Sequence, residues 1–175
     1  AASVERISLI DTSQTNPLFE YTLDESSADW TETLNELDEE KREAIEELIA
    51  SIRTFSVNAY LRDDFDPEGY PIEENRKLPW RYRLEASIAL PGSERDEISE
   101  ITYVFTERLS GTKQIGGLES RATMFEVPQS TIDTLYTLTE KMERPPEALG
   151  SNPESPAPEE PVPEPSESPT QQPDI

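Results

Sequence analysis

The feature that most constrains the fold is a strict alternation of apolar and polar side chains in WRYRLEASIAL, residues 80–90. A period of two is typical of a strand with one buried face. The predicted core positions are Trp80, Tyr82, Leu84, Ala86, Ile88 and Leu90. Arg81 and Arg83 then lie on the opposite face, where they either meet acids of neighbouring strands or present a small basic strip to a partner. Pro91-Gly92 predicts a turn after the strand.

Other segments alternate in the same way and predict further strands. These segments are 4–10, 18–23, 54–61, 98–109 and about 118–127. Asn16-Pro17 predicts the turn before the second strand, and Pro128 ends the last.

Two segments have the helical period instead. After Asp38, an apolar stripe recurs at i, i+3, i+4 and i+7, formed by Ile45, Leu48, Ile49 and Ile52. Glu39 and Glu40 suit the first turn of this helix, because the helix dipole favours negative charge there. For the second helix, Ser130 is the predicted N-cap, with Asp133 three residues later. Its predicted buried face consists of Ile132, Leu135, Tyr136 and Met142.

This order of elements predicts an α+β fold. We expect a mainly antiparallel sheet of about six to seven strands, with two helices packed on it. Strands followed by a helix occur twice along the chain, so a diverged duplication of the two halves stays open.

The C-terminal segment has a different composition. Residues 146–175 are rich in Pro and Glu, with almost no apolar side chains to bury. Such composition favours extended, unfolded conformations. We therefore predict an α+β domain over 1–145 and a disordered tail over 146–175.

Charge and composition exclude several classes of function. The chain carries a net charge of −23, so it repels phosphate backbones and anionic headgroups, and we expect no nucleic-acid partner. It contains no Cys and no His. Thiol nucleophiles, Cys or His zinc sites and Ser-His-Asp triads are therefore excluded. No apolar run is long enough to span a bilayer, and we expect a trimmed or mature fragment whose membrane anchor lies upstream.

The stretch RDDFDPEGYP, residues 62–71, places acids at alternate positions as a calcium loop does. Asp64, Asp66, Glu68 and Gly69 fit the first half of such a loop. The closing position, however, is Asn75 instead of a bidentate Glu. We therefore interpret the stretch as a connector between strands, with Gly69 at its sharp turn.

A second glycine-containing stretch, GTKQIGGLE, has its lysine before the glycine pair, unlike a phosphate loop. We interpret Ser110-Gly111 as a hairpin turn and Gly116-Gly117 as a bulge or a close backbone approach. The acidic face of the first helix is interpreted as solvated. An aromatic-lined ligand groove is a further hypothesis, with Trp30, Tyr60, Tyr70, Trp80 and Tyr82 as candidates.

Several of these segments together resemble the family called domain of unknown function 4340. The resemblance covers about residues 4–142 and rests on DPEGYP, the strand at 80–90, LSGTKQIGG, ESRATMFEVPQ and STIDTLYTL. It implies a bacterial extracytoplasmic domain, tethered by an N-terminal transmembrane helix and found beside genes for ABC transporters of the gliding-motility kind. The family has no established catalytic residues to carry over.

The expected function is a non-catalytic extracytoplasmic interaction or scaffold domain of a membrane-associated assembly linked to a transporter. Its partner is a protein, and the membrane is reached only through the upstream anchor. No residue is assigned a catalytic, cofactor-binding or metal-binding role, and no cofactor is expected. The alternatives are a ligand-binding module with an aromatic-lined groove, and a hydrolase that uses two carboxylates.

Overall fold

The computed structural model describes residues 3–24, 29–89 and 98–143, without the side chains of residues 140–143. All of them belong to the first of two units, which spans residues 1–144. The elements in chain order are β1 (Ser3–Asp11), β2 (Phe19–Thr22), α1 (Glu39–Arg53), β3 (Ala59–Arg62), β4 (Tyr70–Glu73), β5 (Arg76–Leu78), β6 (Tyr82–Ala89), β7 (Ile98–Phe105), β8 (Ile115–Leu118), β9 (Thr123–Glu126) and α2 (Gln129–Glu143). A short 3-10 turn, Glu119–Arg121, joins β8 to β9. The predicted tail and the Pro91-Gly92 turn lie outside the described residues.

Seven strands form one antiparallel sheet in the order β2-β1-β6-β7-β8-β9-β3. Strands β4 and β5 form a separate two-stranded sheet. With the two helices, this architecture confirms the predicted α+β fold. Two pairings, β1 with β6 and β3 with β9, join parts of the chain that are far apart in sequence.

Both helices pack on one face of the large sheet and enclose the main core. Leu9, Leu84 and Tyr103 lie opposite one another on neighbouring strands, so their side chains share this face. Leu84 and Ile88 are buried in the core as predicted. The buried stripe of α1 is also confirmed: it consists of Ala44, Ile45, Leu48, Ile49 and Ile52.

The helix ends test the capping predictions. Asp38 caps α1, because its carboxylate accepts a hydrogen bond from the backbone N–H of Lys41 at 3.0 Å. Ser130 is not the cap of α2, since the helix begins one residue earlier, at Gln129. Asp133 accepts instead from the side-chain amide of Gln129 at 2.8 Å. The capping-box prediction for α2 was therefore wrong.

The buried face of α2 also differs from the prediction. Ile132 and Leu135 are buried, but Tyr136 is 41% exposed and its ring lies against the guanidinium of Arg108. Leu138 is fully buried in its place. The side chain of Met142 lies outside the described part of the structure. Tyr136 lies three residues after Asp133, and both fall on the exposed side of α2.

A second apolar cluster covers part of the other face of the sheet. Trp80, Val104, Ile115 and Met124 form its buried centre. The prediction for Trp80 was therefore wrong, because its ring packs on the face opposite to Tyr82 and Leu84. Regular pairing of β6 begins only at Tyr82, after Pro79, so the alternation does not extend back to Trp80.

Several predicted strand boundaries need correction. The segment 54–61 is a strand only from residue 59, and 98–109 ends at residue 105. The predicted strand 118–127 is two strands separated by the 3-10 turn. Ala122 adopts a left-handed backbone conformation after that turn, with φ of 49°, which reverses the chain direction. The hairpin β4–β5 was not predicted, because Pro71 and the charged residues around it conceal any alternation.

The two faces of β6 give the first prediction. Leu84→Ala is expected to lower the free energy of unfolding by about 2–5 kcal/mol, because it leaves a cavity in the main core. Arg83→Ala, one residue away, is expected to cost less than about 1 kcal/mol, since Arg83 is half exposed and its nearest acid, Glu85, is 3.9 Å away. Urea denaturation of both variants measures the difference, and a larger loss for Arg83→Ala would refute the assignment of faces.

Candidate functional site

The large sheet is wider than its helical cover. Seven strands at about 4.8 Å spacing span about 29 Å, whereas two packed helices cover about 20 Å. A cleft of about 520 Å³ opens over the uncovered strands, and no helix contributes to its lining. We call it the aromatic cleft; it is lined by Phe55, Val57, Tyr60, Tyr103, Leu118, Arg121, Thr123 and Phe125.

Strand register places the floor of the aromatic cleft in two rows. Tyr103, Leu118 and Thr123 lie opposite one another across β7, β8 and β9. In the next row, Phe125 lies between Gly116 and Tyr60. A β-carbon on Gly116 would come within 2.5 Å of the Phe125 ring, so glycine is required for that ring to lie flat on the sheet. The predicted close approach at Gly116 is therefore made by an aromatic side chain.

The roof of the cleft comes from the segment after α1. The helix ends at Arg53, and the chain then descends to the edge of the sheet at β3. On this path Phe55 stacks on Tyr103, with ring centroids 4.3 Å apart, and meets Phe125 edge-on at 5.2 Å. Phe55, which was predicted to lie near the start of a strand, therefore packs over the sheet instead of pairing within it.

One polar group in the cleft has no partner. Tyr103 is only 3% exposed, and its hydroxyl makes no hydrogen bond within the described part of the chain. Burial raises the pKa of the phenol, so the hydroxyl keeps its proton at neutral pH. The side chain is buried except at its hydroxyl oxygen, which remains accessible from the cleft. The Tyr103 hydroxyl is therefore ready to bind an oxygen atom supplied from outside.

Arg121 is the only charged side chain that lines the cleft. Within the described residues its guanidinium makes neither an ion pair nor a hydrogen bond. It lies in the 3-10 turn beside the Thr123 row, and the Thr123 hydroxyl donates to its carbonyl oxygen at 2.8 Å. The left-handed Ala122 between them is a strained position for a residue with a side chain. The cleft therefore has an apolar floor and one cationic end.

The aromatic cleft also borders an open strand edge. β3 pairs with β9 on one side, and no described residue pairs with its other side. Tyr60, on β3, is 74% exposed. A bulge between Tyr60 and Arg62 turns Leu61 to the second cluster on the opposite face. The edge strand thus leaves the cleft open at its side.

The five aromatic residues proposed as a groove do not come together. Trp30 is buried in the main core, where its indole N–H donates to the carbonyl of Val4 at 3.2 Å. Trp80 and Tyr70 belong to the second cluster, and Tyr82 lies under α2. Only Tyr60 lines the aromatic cleft. The sequence analysis did not identify the other residues of the aromatic cleft, because it assigned Phe55 and Val57 to a strand. The apolar residues at positions 55 and 57, shortly before Tyr60, were the pattern that could have indicated them.

Arg81 forms an ion pair with an acid on a neighbouring strand. Of the two alternatives given for this residue, pairing with an acid is therefore the one observed, and not a basic strip presented to a partner. One of its terminal nitrogens lies 2.7 Å from the carboxylate of Asp11. Asp11 is completely buried at the end of β1 and also accepts hydrogen bonds from the backbone N–H and the hydroxyl of Ser13. Because the acid has several donors, this ion pair can be buried without a large penalty.

The stretch RDDFDPEGYP connects β3 to β4, as predicted. Its carboxylates are held by cations of the protein: Asp64 contacts Arg62 at 2.8 Å, and Asp66 contacts Lys77 at 2.7 Å. These contacts lower the pKa of both acids. The Asp66 carbonyl also accepts the indole N–H of Trp80, so the loop supports the second cluster.

Three other predicted features are confirmed. Gly69 has φ of 143°, and a β-carbon there would come within 2.2 Å of the Leu78 carbonyl oxygen, so only glycine fits the sharp turn. The hairpin turn at Ser110-Gly111 is closed by a bridge from Ser110 to Lys113. The acidic face of α1 is exposed, as interpreted.

No group of three or more acidic side chains in the described residues is arranged to hold a metal ion. Within the same residues, no helix has the length and apolar character needed to cross a membrane. No protein-family model matches this chain, and no curated protein and no solved structure matches it. The geometry of the site is therefore the basis for the binding mode proposed below.

The connector loop gives the second prediction. Calcium at millimolar concentration is expected to leave the melting temperature and the tryptophan fluorescence unchanged, because Arg62 and Lys77 already occupy the carboxylates of Asp64 and Asp66. Magnesium serves as the matched control for ionic strength. A saturable calcium-specific shift at micromolar concentration would show that the loop is a site.

The buried ion pair gives the third prediction. Asp11→Asn is expected to lower the free energy of unfolding by about 2–4 kcal/mol, because it removes the carboxylate 2.7 Å from the partly buried Arg81, while Glu107 remains 3.9 Å away. Glu85→Gln, which removes the acid 3.9 Å from the half-exposed Arg83, is expected to cost less than about 1 kcal/mol. Equal losses in urea denaturation would refute a special role for the Asp11–Arg81 pair.

Proposed function

We propose that this chain is a non-catalytic interaction domain whose protein partner adds an extended segment to β3 and buries side chains in the aromatic cleft. The observation that carries the proposal is the position of the cleft directly beside an open strand edge. Addition of a strand supplies main-chain hydrogen bonds, while pockets for alternate side chains supply specificity.

The exposure of β3 supports this proposal. Open edges are usually protected, because they pair readily with other chains. β3 is short, but its Tyr60 presents a large ring to solvent beside the apolar floor of the cleft. Tyrosine is enriched in protein interfaces because it buries a large area with little loss of conformational freedom. A partner strand would cover both the edge and this ring.

The charge of the chain supports a protein partner over a nucleic acid. A net charge of −23 opposes the approach of any phosphate polymer. The ionisation of the acids supports a non-catalytic role, since general acids need a raised pKa. In contrast, hydrogen bonds with Lys41, Arg62 and Lys77 lower the pKa of Asp38, Asp64 and Asp66.

We further propose an extracytoplasmic location, with a membrane anchor upstream of this chain and a transporter-type complex as the partner. This part of the proposal rests on the resemblance to domain of unknown function 4340, not on the geometry. An anchored domain meets its partner at a high effective concentration, so a small interface suffices.

A ligand-binding module is the second candidate. The cleft volume of about 520 Å³ lies within the usual range of small-molecule pockets. The Tyr103 hydroxyl without a partner favours this alternative as well. We rank the ligand-binding module second, because a small ligand in the cleft would leave the open edge of β3 without a role.

Photocrosslinking in cells tests the interaction proposal and is the fourth prediction. Tyr60 is replaced by p-benzoylphenylalanine in the full-length gene product, and Ile72 on β4 is replaced in a matched control, since it is exposed but away from the cleft. Ultraviolet light is expected to give an adduct with a membrane-complex protein at position 60. That adduct should be accessible to protease added outside the cytoplasm.

Two outcomes of this experiment contradict the proposal. Equal adducts at positions 60 and 72 would show that the cleft has no preference, and no adduct at position 60 would show that no partner reaches β3. An adduct that resists protease added outside the cytoplasm, and is digested only after the cells are opened, would refute the extracytoplasmic location but not the interaction at β3.

A further inference from the structure

We propose that the aromatic cleft selects partner segments that carry an acidic side chain next to an apolar one, the acid binding to Arg121 and Tyr103. This inference rests on the proposed function and specifies the chemistry of its partner. The occupant is an extended peptide that adds to β3.

The charge of the cleft is opposite to that of the rest of the molecule. The chain has 38 acids against 15 bases, yet Arg121 is the one ionised group among the eight residues that line the cleft. Some arginines of the described residues, such as Arg6 and Arg62, are held by carboxylates, whereas others, such as Arg76, are not. Arg121 has no such partner there. A carboxylate from a partner would complete the pair and meet little competition from acids inside the cleft.

The Tyr103 hydroxyl supplies the second contact. Its oxygen is accessible, it has no partner within the described residues, and Tyr103 lines the same cleft. Tyr103 lies in the row that continues through Leu118 to Thr123, beside the turn that holds Arg121. Both donors therefore line the cleft near Leu118, with Tyr103 on one side of it and the turn that holds Arg121 beside Thr123 on the other. A carboxylate accepts from two donors at once, whereas a neutral amide has only one oxygen to offer.

The aromatic part of the cleft selects an apolar side chain. Phe55, Phe125 and Tyr60 form its walls and floor, without a charged group. In an added strand, side chains that share a face are two residues apart, at about 6.6–6.8 Å. The expected motif is therefore an apolar residue and an acidic residue separated by one position. Which of the two comes first depends on the direction of the added strand.

A peptide fits these observations better than a small carboxylic acid does. A small molecule would use the cleft alone, whereas a peptide also satisfies the open backbone groups of β3. Tyr60 lies on the cleft side of β3, and Leu61 faces the second cluster on the other side of the sheet. The cleft and the edge thus form one continuous surface for an extended chain.

Peptide titration tests this inference and is the fifth prediction. The probes are N-acetyl-Thr-Val-Phe-Thr-Glu-Val-Thr-amide, the same peptide with Phe and Glu exchanged, and matched peptides with Gln in place of Glu. Amide chemical shifts of the isotope-labelled chain report both the site and the affinity. One of the two Glu peptides is expected to shift amides of β3, β8 and β9, and to bind about three- to tenfold more tightly than its Gln counterpart.

Variants of the protein separate the two donors. Arg121→Gln is expected to abolish the preference for Glu over Gln and to leave the affinity for the Gln peptide unchanged. Tyr103→Phe keeps the ring and is expected to weaken only the Glu peptide, by a few-fold. Arg76→Gln on β5 is the charge-matched control and should alter neither affinity by more than about twofold.

Three other outcomes of the titrations would contradict the inference, and they differ in what they leave standing. Equal binding of the Glu and Gln peptides at β3 refutes the acidic preference and leaves the interaction proposal intact. Failure of every peptide to shift β3 amides at millimolar concentration refutes both. If 4-phenylbutanoate saturates the cleft at a lower concentration than any peptide does, the occupant is a small carboxylate and the peptide inference is wrong.

Discussion

The ion pair between Asp11 and Arg81 is the interaction on which the arrangement of the sheet depends. Asp11 ends β1 and Arg81 precedes β6, so the pair aligns the N-terminal strand with a strand about seventy residues later. Thr12 reinforces the alignment, because its hydroxyl donates to the carbonyl of Trp80 at 2.8 Å. Trp80 then packs on one face of the sheet while Tyr82 packs on the other. This junction therefore connects the two apolar clusters.

The position of β1 has a consequence at the other end of the sheet. β1 pairs with β6, so the meander that follows extends away from it and finishes with β9. β3, which comes directly after α1, can join only beyond β9 and becomes an edge. The helices cover the strands near β1, and the strands near β3 receive only the segment that carries Phe55. The aromatic cleft and its open edge are thus products of strand order, and they give this domain its surface for a partner.

Much of the fold was predictable because local patterns report burial. The alternation in residues 80–90 identified Leu84 and Ile88 as core, and the apolar stripe after Asp38 identified α1 and its buried face. The errors occurred where local pattern and tertiary packing diverge. Tyr136 has an apolar ring at a helical spacing, yet it lies over Arg108 on the surface. The sequence pattern identified only Tyr60 of the candidate site, since the lining residues come from three separate stretches of the chain, 55–60, 103 and 118–125.

The sequence by itself determined the class of the fold, the two-faced character of β6, the turn at Gly69 and the absence of Cys and His chemistry. Each of these follows from side-chain periodicity, backbone restriction or residue type, which act over a few residues. Only the tertiary structure decided which face Trp80 occupies, that Gly116 makes room for Phe125, and that Tyr103 and Arg121 share a cleft. These outcomes depend on contacts between distant segments, and such contacts form only when the order of strands in the sheet is set.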